Sequence, residues 1–359
     1  MASCMTFFSV GNGDMTLIET NNNKQILVDC NVKKSHTDES TDDFNCVEYL
    51  LQNLTKTNGI SYADALIVTH SDQDHCRGVK EHFNLCSPKD ADSNKISIGE
   101  LLVPARLLID KELNNDDAKA IQKEAKRRLE LFDKGVELVS GNRIQIIGYS
   151  SELKAYAELV TPAGKEIDKI NGFTDYGMRA FILRPVKDAT DNEDAGVNDA
   201  SIALKLTFSQ MTNEFNAFLG GDLTCDNWKE IINYNSALEI DILLAPHHCS
   251  WHSISNEDVV VGEPDEQIAE FLEKSKEKLF VVASCKEIKR NHDNPPSYRA
   301  KNFYIKHMKN DDRFKCMADC KDSPYCLKIS MVGVSVKQIA KAVSLGSSNQ
   351  SLYTPRTYG

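Results

Sequence analysis

The segment Thr69-His70-Ser71-Asp72-Gln73-Asp74-His75 constrains this chain more than any other. Four groups able to ligate a metal, His70, Asp72, Asp74 and His75, fall within six residues, directly after the apolar run 65–68, which reads as a buried strand. The strand fixes where the loop begins. Because Ser71 and Gln73 can point elsewhere, the imidazole and carboxylate groups can turn toward one point. Nitrogen and carboxylate-oxygen donors suit Zn²⁺, Mn²⁺, Fe²⁺ or Co²⁺ and differ from the tetrathiolate set of a structural zinc site. Two later strand exits repeat the pattern: Gly220-Gly221-Asp222 follows FNAFL, and His247-His248 follows DILLAP. Three such exits can meet at one edge of a sheet, where α/β proteins place ligands.

The rest of the chain alternates short apolar runs with amphipathic ones. Residues 15–18 and 25–29, separated by a polar turn, read as a hairpin. Residues 44–54 and 110–132 carry apolar positions at helical intervals, and 228–232 begins another helix. Arg143–Ile147, 180–184, 201–208 and 279–283 read as strands, with the polar stretch 187–199 as a loop or insert and 344–359 as a frayed end. Strands alternating with helices predict an α/β sandwich around central sheets. The longest apolar run has five residues, far from the roughly 20 needed to cross a bilayer. With no basic n-region ahead of an apolar stretch, and with scattered cysteines, the expected location is the cytoplasm. A net charge of −11 argues against a broad duplex-wrapping face, though not against a small cleft where a metal reverses the local potential.

The loop and the two later exits together resemble the metallo-β-lactamase superfamily, whose signature is His-x-His-x-Asp-His followed by distant Asp and His ligands. Asp72 stands at the second histidine of that signature. Within the superfamily the chain is most similar to the hydrolase domain of the ComEC/Rec2 DNA-uptake proteins. The matching motifs are Val10-Gly11-x-Gly13-Asp14, Leu27-Val28-Asp29, the loop 70–75, Gly221-Asp222 and His247-His248-Cys249-Ser250. The likeness covers about residues 5–295 and is weak over 85–195.

This resemblance implies a four-layered αββα fold. Residues 1–300 would form a hydrolase domain with an insert around 85–195, and 301–359 a C-terminal extension packed on it. It also implies two divalent ions, zinc or manganese: His70 and Asp72 for the first, Asp74, His75 and His247 for the second, with Asp222 bridging. Relatives supply a further histidine before the bridging acid. None stands between His82 and His247 here, which leaves Asn198 or Asp199 for that place. A metal pair about 3.5–4 Å apart activates a shared water, with Asp74 belonging to that machinery and His248 left for a phosphate oxygen or the leaving group. Ser250, with His252, would help orient substrate, and His292 would lie on the substrate side. Asp29, at a strand end, would receive an N–H from a ligand histidine. Asp14 would brace the tight loop that Gly11 and Gly13 permit.

Between residues 286 and 309 seven basic side chains, Lys289, Arg290 and Arg299 among them, face only two acids and are interleaved with Tyr298, Phe303 and Tyr304. Basic groups among aromatics suit a nucleic-acid or nucleotide track. The expected activity is therefore phosphodiester hydrolysis, of DNA before RNA or a small nucleotide, with a protein partner in a defence or DNA-processing system. A hydrolase acting on a carbonyl (lactam, thioester or peptide) and a non-catalytic binding module of the same fold are the alternatives. Cys316, Cys320 and Cys326 near His307 are irregularly spaced and read as loop thiols, not zinc ligands.

Overall fold

Neighbouring residues along the central strands sink into different hydrophobic cores, and that alternation sets the architecture. The computed structural model describes residues 2–339 apart from 39, 42, 187–197 and 236–237. Most of the polar stretch 187–199, and all of 344–359, lie outside the described residues. In strand Gln25–Val28, Leu27 enters one core and Ile26 and Val28 enter another; in Ile60–Ile67, Leu66 and Ile67 divide the same way. In the second half of the chain Leu243 and Val281 face an outer core, while Ile242, Leu244, Phe280 and Val282 face the core shared with the first sheet.

The first sheet runs in the order Gly333–Lys337, Tyr325–Ser330, Ser3–Phe7, Thr16–Glu19, Gln25–Val28, Ile60–Ile67, Ser97–Pro104, Arg143–Ile147, Val160–Thr161. It is antiparallel up to Gln25–Val28 and parallel beyond it. The second sheet runs Glu166–Ile167, Met178–Arg184, Ala203–Gln210, Asn213–Leu219, Ile242–Leu244, Phe280–Ala283, Phe314–Cys316, and turns parallel after Asn213–Leu219. Helices Cys46–Asn53 and Asp116–Asp133 cover the outer face of the first sheet. Helices Cys225–Tyr234, Glu266–Ser275 and Tyr298–Lys306 cover that of the second. Four layers enclose three cores: this is the αββα sandwich of the metallo-β-lactamase fold. The segment 85–195 supplies interior strands to the first sheet, and residues after 301 enter both sheets.

Local sequence explains where the elements stop. The helix expected over 110–132 begins later, at Asp116: a separate short helix, Ala105–Ile109, ends on Asp110, and Leu113 is buried in the non-helical link between the two. Asn115 then starts Asp116–Asp133, its side chain accepting the Ala118 N–H at 2.7 Å. That helix buries Ala118, Ile121, Ala125 and Leu129 along one stripe. Arg128, also buried, donates to Glu124 and to the carbonyls of Ile98 and Arg143, so the helix is tied to two strands.

The parallel strands deliver their carboxyl ends to one edge. Cross-links hold the exits there: Ile202 N–H donates to the Thr69 carbonyl (2.9 Å), His247 N–H to Gly221 (3.0 Å) and Asp14 N–H to Asp74 (3.2 Å). Phe208, fully buried between the sheets, is a large contributor to the shared core. Phe208→Ala is expected to destabilise the protein by about 3–5 kcal/mol, read as a lower urea midpoint at unchanged slope.

Candidate metal centre

Asp29 begins the site. Its backbone is left-handed (φ 57°), a conformation Asp tolerates better than most residues, and its N–H donates to the Ile67 carbonyl at 2.8 Å. Its Oδ1 accepts the Thr69 N–H (2.7 Å) and its Oδ2 the Thr69 hydroxyl (2.7 Å). The same Oδ2 lies 2.8 Å from His75 Nδ1, so that nitrogen carries a proton and the ring is held with Nε2 inward. The one-turn helix Gln73–Cys76 then carries Asp74 and His75 on adjacent positions.

Asp222 is the centre of the cluster. Its Oδ1 lies 3.1 Å from His75 Nε2 and 3.5 Å from His248 Nε2; its Oδ2 lies 3.8 Å from His70 Nε2 and 3.7 Å from His247 Nε2. Four imidazoles from two distant segments thus surround one carboxylate. Asp72, half-exposed, is 3.8 Å from His70 Nε2, and Asp74 is 3.5 Å from His248 Nε2. Ligand atoms of His70, His75 and Asp222 lie within 4.8 Å of one another, and so do those of Asp14, His75 and His248.

His247, His248 and Cys249 are consecutive left-handed residues (φ 50°, 54° and 65°). Each costs about 1–2 kcal/mol relative to ordinary helical backbone, and such strain persists only where the surroundings over-determine it. Here Ser297 N–H donates to the Cys249 carbonyl (2.9 Å), Ser253 Oγ to that of Pro246 (3.2 Å), and Asn294 Oδ1 accepts from Trp251 N–H (2.7 Å) and Ser250 Oγ (3.0 Å). The reversed turn points both adjacent imidazoles at Asp222. On the opposite wall, Gly13 (φ 134°) sends its N–H to His248 Nδ1 at 3.2 Å. A Cβ at Gly13 would stand 1.9 Å from Asn31 Nδ2 and 2.5 Å from the Asp74 carbonyl, so no other residue fits. This loop sets Asp14 Oδ1 3.6 Å from His248 Nδ1.

Burial opposes charge throughout, and the outcome differs from group to group. At His75 the carboxylates of Asp222 and Asp29 outweigh burial and hold its pKa well above the usual imidazole value. At His248, Asp14 and Asp74 do the same and raise it to about 10. Burial, reinforced by His75, pushes His70 down to about 3, and burial lowers His247 as well. Asp222 is held well below the carboxylate range because His75, His248 and His70 overcome its burial; Asp74 falls to about 2, chiefly through His248. Protons on His75 and His248 thus supply the positive charge that the carboxylates demand. His70 Nε2, His247 Nδ1 and Asp14 Oδ1 remain buried without a hydrogen-bond partner, each at a cost of about 1–3 kcal/mol. The donor set, mixed imidazole and carboxylate with the unpaired His70 Nε2 facing Asp222, fits divalent cations.

The structure brings His70, Asp72, Asp74, His75, Asp222 and His247 together, with Asp29 and Asp14 against them and His248 inside the cluster. Asp199 is not in either ligand group: its Oδ1 accepts from Asn227 and its carbonyl from Arg184. Asn198 Oδ1 is buried without a partner, on the segment that Ile202 ties to Thr69. Ser250 is buried, its hydroxyl engaged by Asn294 and by the His252 N–H, so it anchors the reversed turn. His292, Lys289 and Arg290 are exposed, with Arg290 over the Tyr298 ring. Arg299 stacks on Trp251 (4.1 Å) and donates to the carbonyls of Val259 and Gly262, while Phe303 and Tyr304 are buried in the outer core. The aromatic-lined track expected over 286–309 is therefore largely a helix face packed inward. Cys316 pairs with Cys285 (3.7 Å) and His307 with Glu273 (3.2 Å); neither joins a metal-ligand group among the described residues. The Thr69 hydroxyl, the Asp14–His248 approach and the Gly13 N–H were not foreseen from sequence.

No protein-family model matches the chain, and no curated protein matches it. Among solved structures, the crystal structure of the short form of human tRNase Z is similar over 77% of this chain and 91% of its own, at 13% identity and a TM-score of 0.33. The site's two His/Asp groups, His70/His75/Asp222 and Asp14/His75/His248, are geometrically able to hold metal ions.

Asp29→Asn keeps a residue that tolerates the left-handed backbone but weakens the brace on His75. Affinity for Zn²⁺ is expected to fall about 10–100-fold, measured by competition with a chromogenic chelator. Because His75 must shed a proton to become a ligand, metal affinity is expected to rise with pH from 6 to 8. Calorimetry in two buffers of different ionisation heat is expected to show about one proton released per ion at neutral pH.

Proposed function

We propose that the chain is a divalent-metal-dependent phosphodiesterase that cleaves nucleic acid, DNA in the first instance, using zinc or manganese. The observation that carries this reading is the single carboxylate of Asp222 shared by four imidazoles and flanked by Asp72 and Asp74, a donor set suited to two ions with one bridging acid. His70, Asp72 and Asp222 would hold one ion, and Asp74, His75, His247 and Asp222 the other. Bound ions of this kind lower the pKa of a shared water and neutralise charge growing on the substrate's oxygens.

The chain's own residues then have separable tasks. Asp29 and Thr69 fix the ring of His75, and the loop Gly11–Gly13 closes the opposite wall. His248 is the proton donor to the leaving oxygen. In its neutral form the Gly13 N–H accepted at Nδ1 leaves the ring proton on Nε2, and in its charged form both nitrogens carry one; either way Nε2 presents a proton to the cluster. Trp251 and Asn294 hold the reversed turn, so His248 cannot swing away. The same reading places the chain in the cytoplasm, where its eleven free thiols stay reduced, alongside a protein partner in DNA processing or defence.

The test is digestion of labelled single- and double-stranded DNA and RNA with Mn²⁺ or Zn²⁺. The parent is expected to cleave only with metal, and Asp222→Asn and the double variant Asp74→Ala/His75→Ala to lose at least about 100-fold while keeping a cooperative thermal transition. Equal cleavage by parent and variants would overturn the reading, as would hydrolysis confined to an acyl substrate.

A further inference from the structure

We infer that Lys33 and Arg77 form a phosphate-binding pair on the rim of the metal centre, placed to hold a phosphate of a polynucleotide next along the chain from the bond that is cut; this deepens the phosphodiesterase reading and rests on it. Both residues emerge directly from the site. Arg77 ends the helix Gln73–Cys76 that carries Asp74 and His75. Its carbonyl accepts the Val32 N–H at 3.0 Å, so segments 30–32 and 76–77 run side by side and Lys33 follows directly. Lys33 Nζ lies against Gly11, so near that a Cβ there would stand 2.3 Å from it. Gly11 belongs to the same loop whose Gly13 N–H meets His248.

Two cations are thereby held beside each other, each only half exposed, in a chain with 53 acidic residues. Among the described residues neither forms an ion pair or a side-chain hydrogen bond to a carboxylate. Burial and the Arg77 charge both act against the charge on Lys33, with Asp43 and Asp74 acting for it. Like charges kept together and partly desolvated are costly, and an anion between them removes that cost. They line one cavity of about 490 Å³ that also takes in Lys34, Gln73 and Lys80. Its acidic lining is partly answered from within: Asp116 pairs with Lys80 (3.2 Å) and Asp117 accepts the Lys80 N–H. On the far side of Lys33 a second cavity, about 350 Å³, adds Lys286, whose N–H is fixed by Asn12. Lys33 and Lys286 therefore flank the loop 11–13, with Arg77 on the cavity at the other side of Lys33. A planar guanidinium beside a point-charge ammonium suits the tetrahedral oxygens of phosphate.

The test uses the full-length chain and the variants Lys33→Met, Arg77→Met and their combination, each checked for unchanged metal content and thermal transition. Binding of a fluorescent single-stranded oligonucleotide to the metal-free protein is followed against salt. The double variant is expected to bind about tenfold more weakly, with the slope of log affinity on log salt smaller by about 1. In the metal-loaded protein the ratio of kcat/KM for the oligonucleotide to that for bis-para-nitrophenyl phosphate, which has no neighbouring phosphate, is expected to fall about tenfold through KM. An unchanged salt slope, an unchanged ratio, or no oligonucleotide binding by the parent would overturn the proposal. Pyrophosphate competing as strongly as the oligonucleotide would also overturn it, by assigning the pair to the terminal phosphates of a small nucleotide. Loss of binding in the variants of a parent that cleaves nothing would instead count against the hydrolytic reading alone, since the binding arm needs neither metal nor turnover.

Discussion

Asp222 is the charge on which the centre depends. Four imidazoles converge on it, two from the loop after Ile60–Ile67 in the first sheet and two from the turn after Ile242–Leu244, the neighbour of its own strand in the second, so the cluster exists only because two sheets bring separate exits to one edge. Protons help hold the assembly: His75 and His248 keep theirs against the cost of burial because Asp222, Asp29, Asp14 and Asp74 surround them. His70 and His247 lose theirs to burial and stand neutral with buried unpaired nitrogens. Charged and neutral imidazoles are thus gathered around one acid.

The supporting residues divide into those that fix direction and those that fix distance. Asp29 and Thr69 orient His75 through three contacts of 2.7–2.8 Å, and the left-handed run 247–249 aims two neighbouring side chains where helical backbone would splay them. Asn31, Gly13 and Ser284 set the height of the loop over His248: Asn31 Nδ2 donates to the Asn12 carbonyl (2.8 Å) and Ser284 Oγ to that of Gly13 (2.6 Å). Each brace comes from a different strand or loop, so the geometry belongs to the sandwich as a whole and not to any one motif.

Much of this was legible in the amino-acid sequence, for reasons that also explain what was not. Strands such as 65–68 and 279–283 announce themselves as apolar runs because both their faces are buried, and the six candidate ligand residues stand at strand exits. Ser97–Pro104 is hidden because Glu100 interrupts it. That carboxylate is buried, accepting from Gln145 and the Asn171 N–H, partners that lie 45 and 71 positions away. The helix expected over 110–132 starts six residues later because its start is set by the Asn115 cap, and its apolar periodicity begins only at Ala118. Composition placed Phe303 and Tyr304 on a binding face, but helical phase turns them into the core. The inward turn of His248 had no local signal at all: it follows from three positive φ angles imposed by residues up to 48 positions downstream, a tertiary demand that overrides local preference.

The pairing of Ser3–Phe7 with Tyr325–Ser330 has a kinetic side. On a ribosome adding about 5–20 residues per second, the first strand emerges on the order of tens of seconds before its outer neighbour exists. Until then the sheet that carries Asp29 and the loop 70–75 ends in an open, apolar edge, the kind that recruits other chains. This late strand is therefore also a cover, and a message cut short before it would yield a nascent chain whose loop 70–75 is largely built but whose flank invites association.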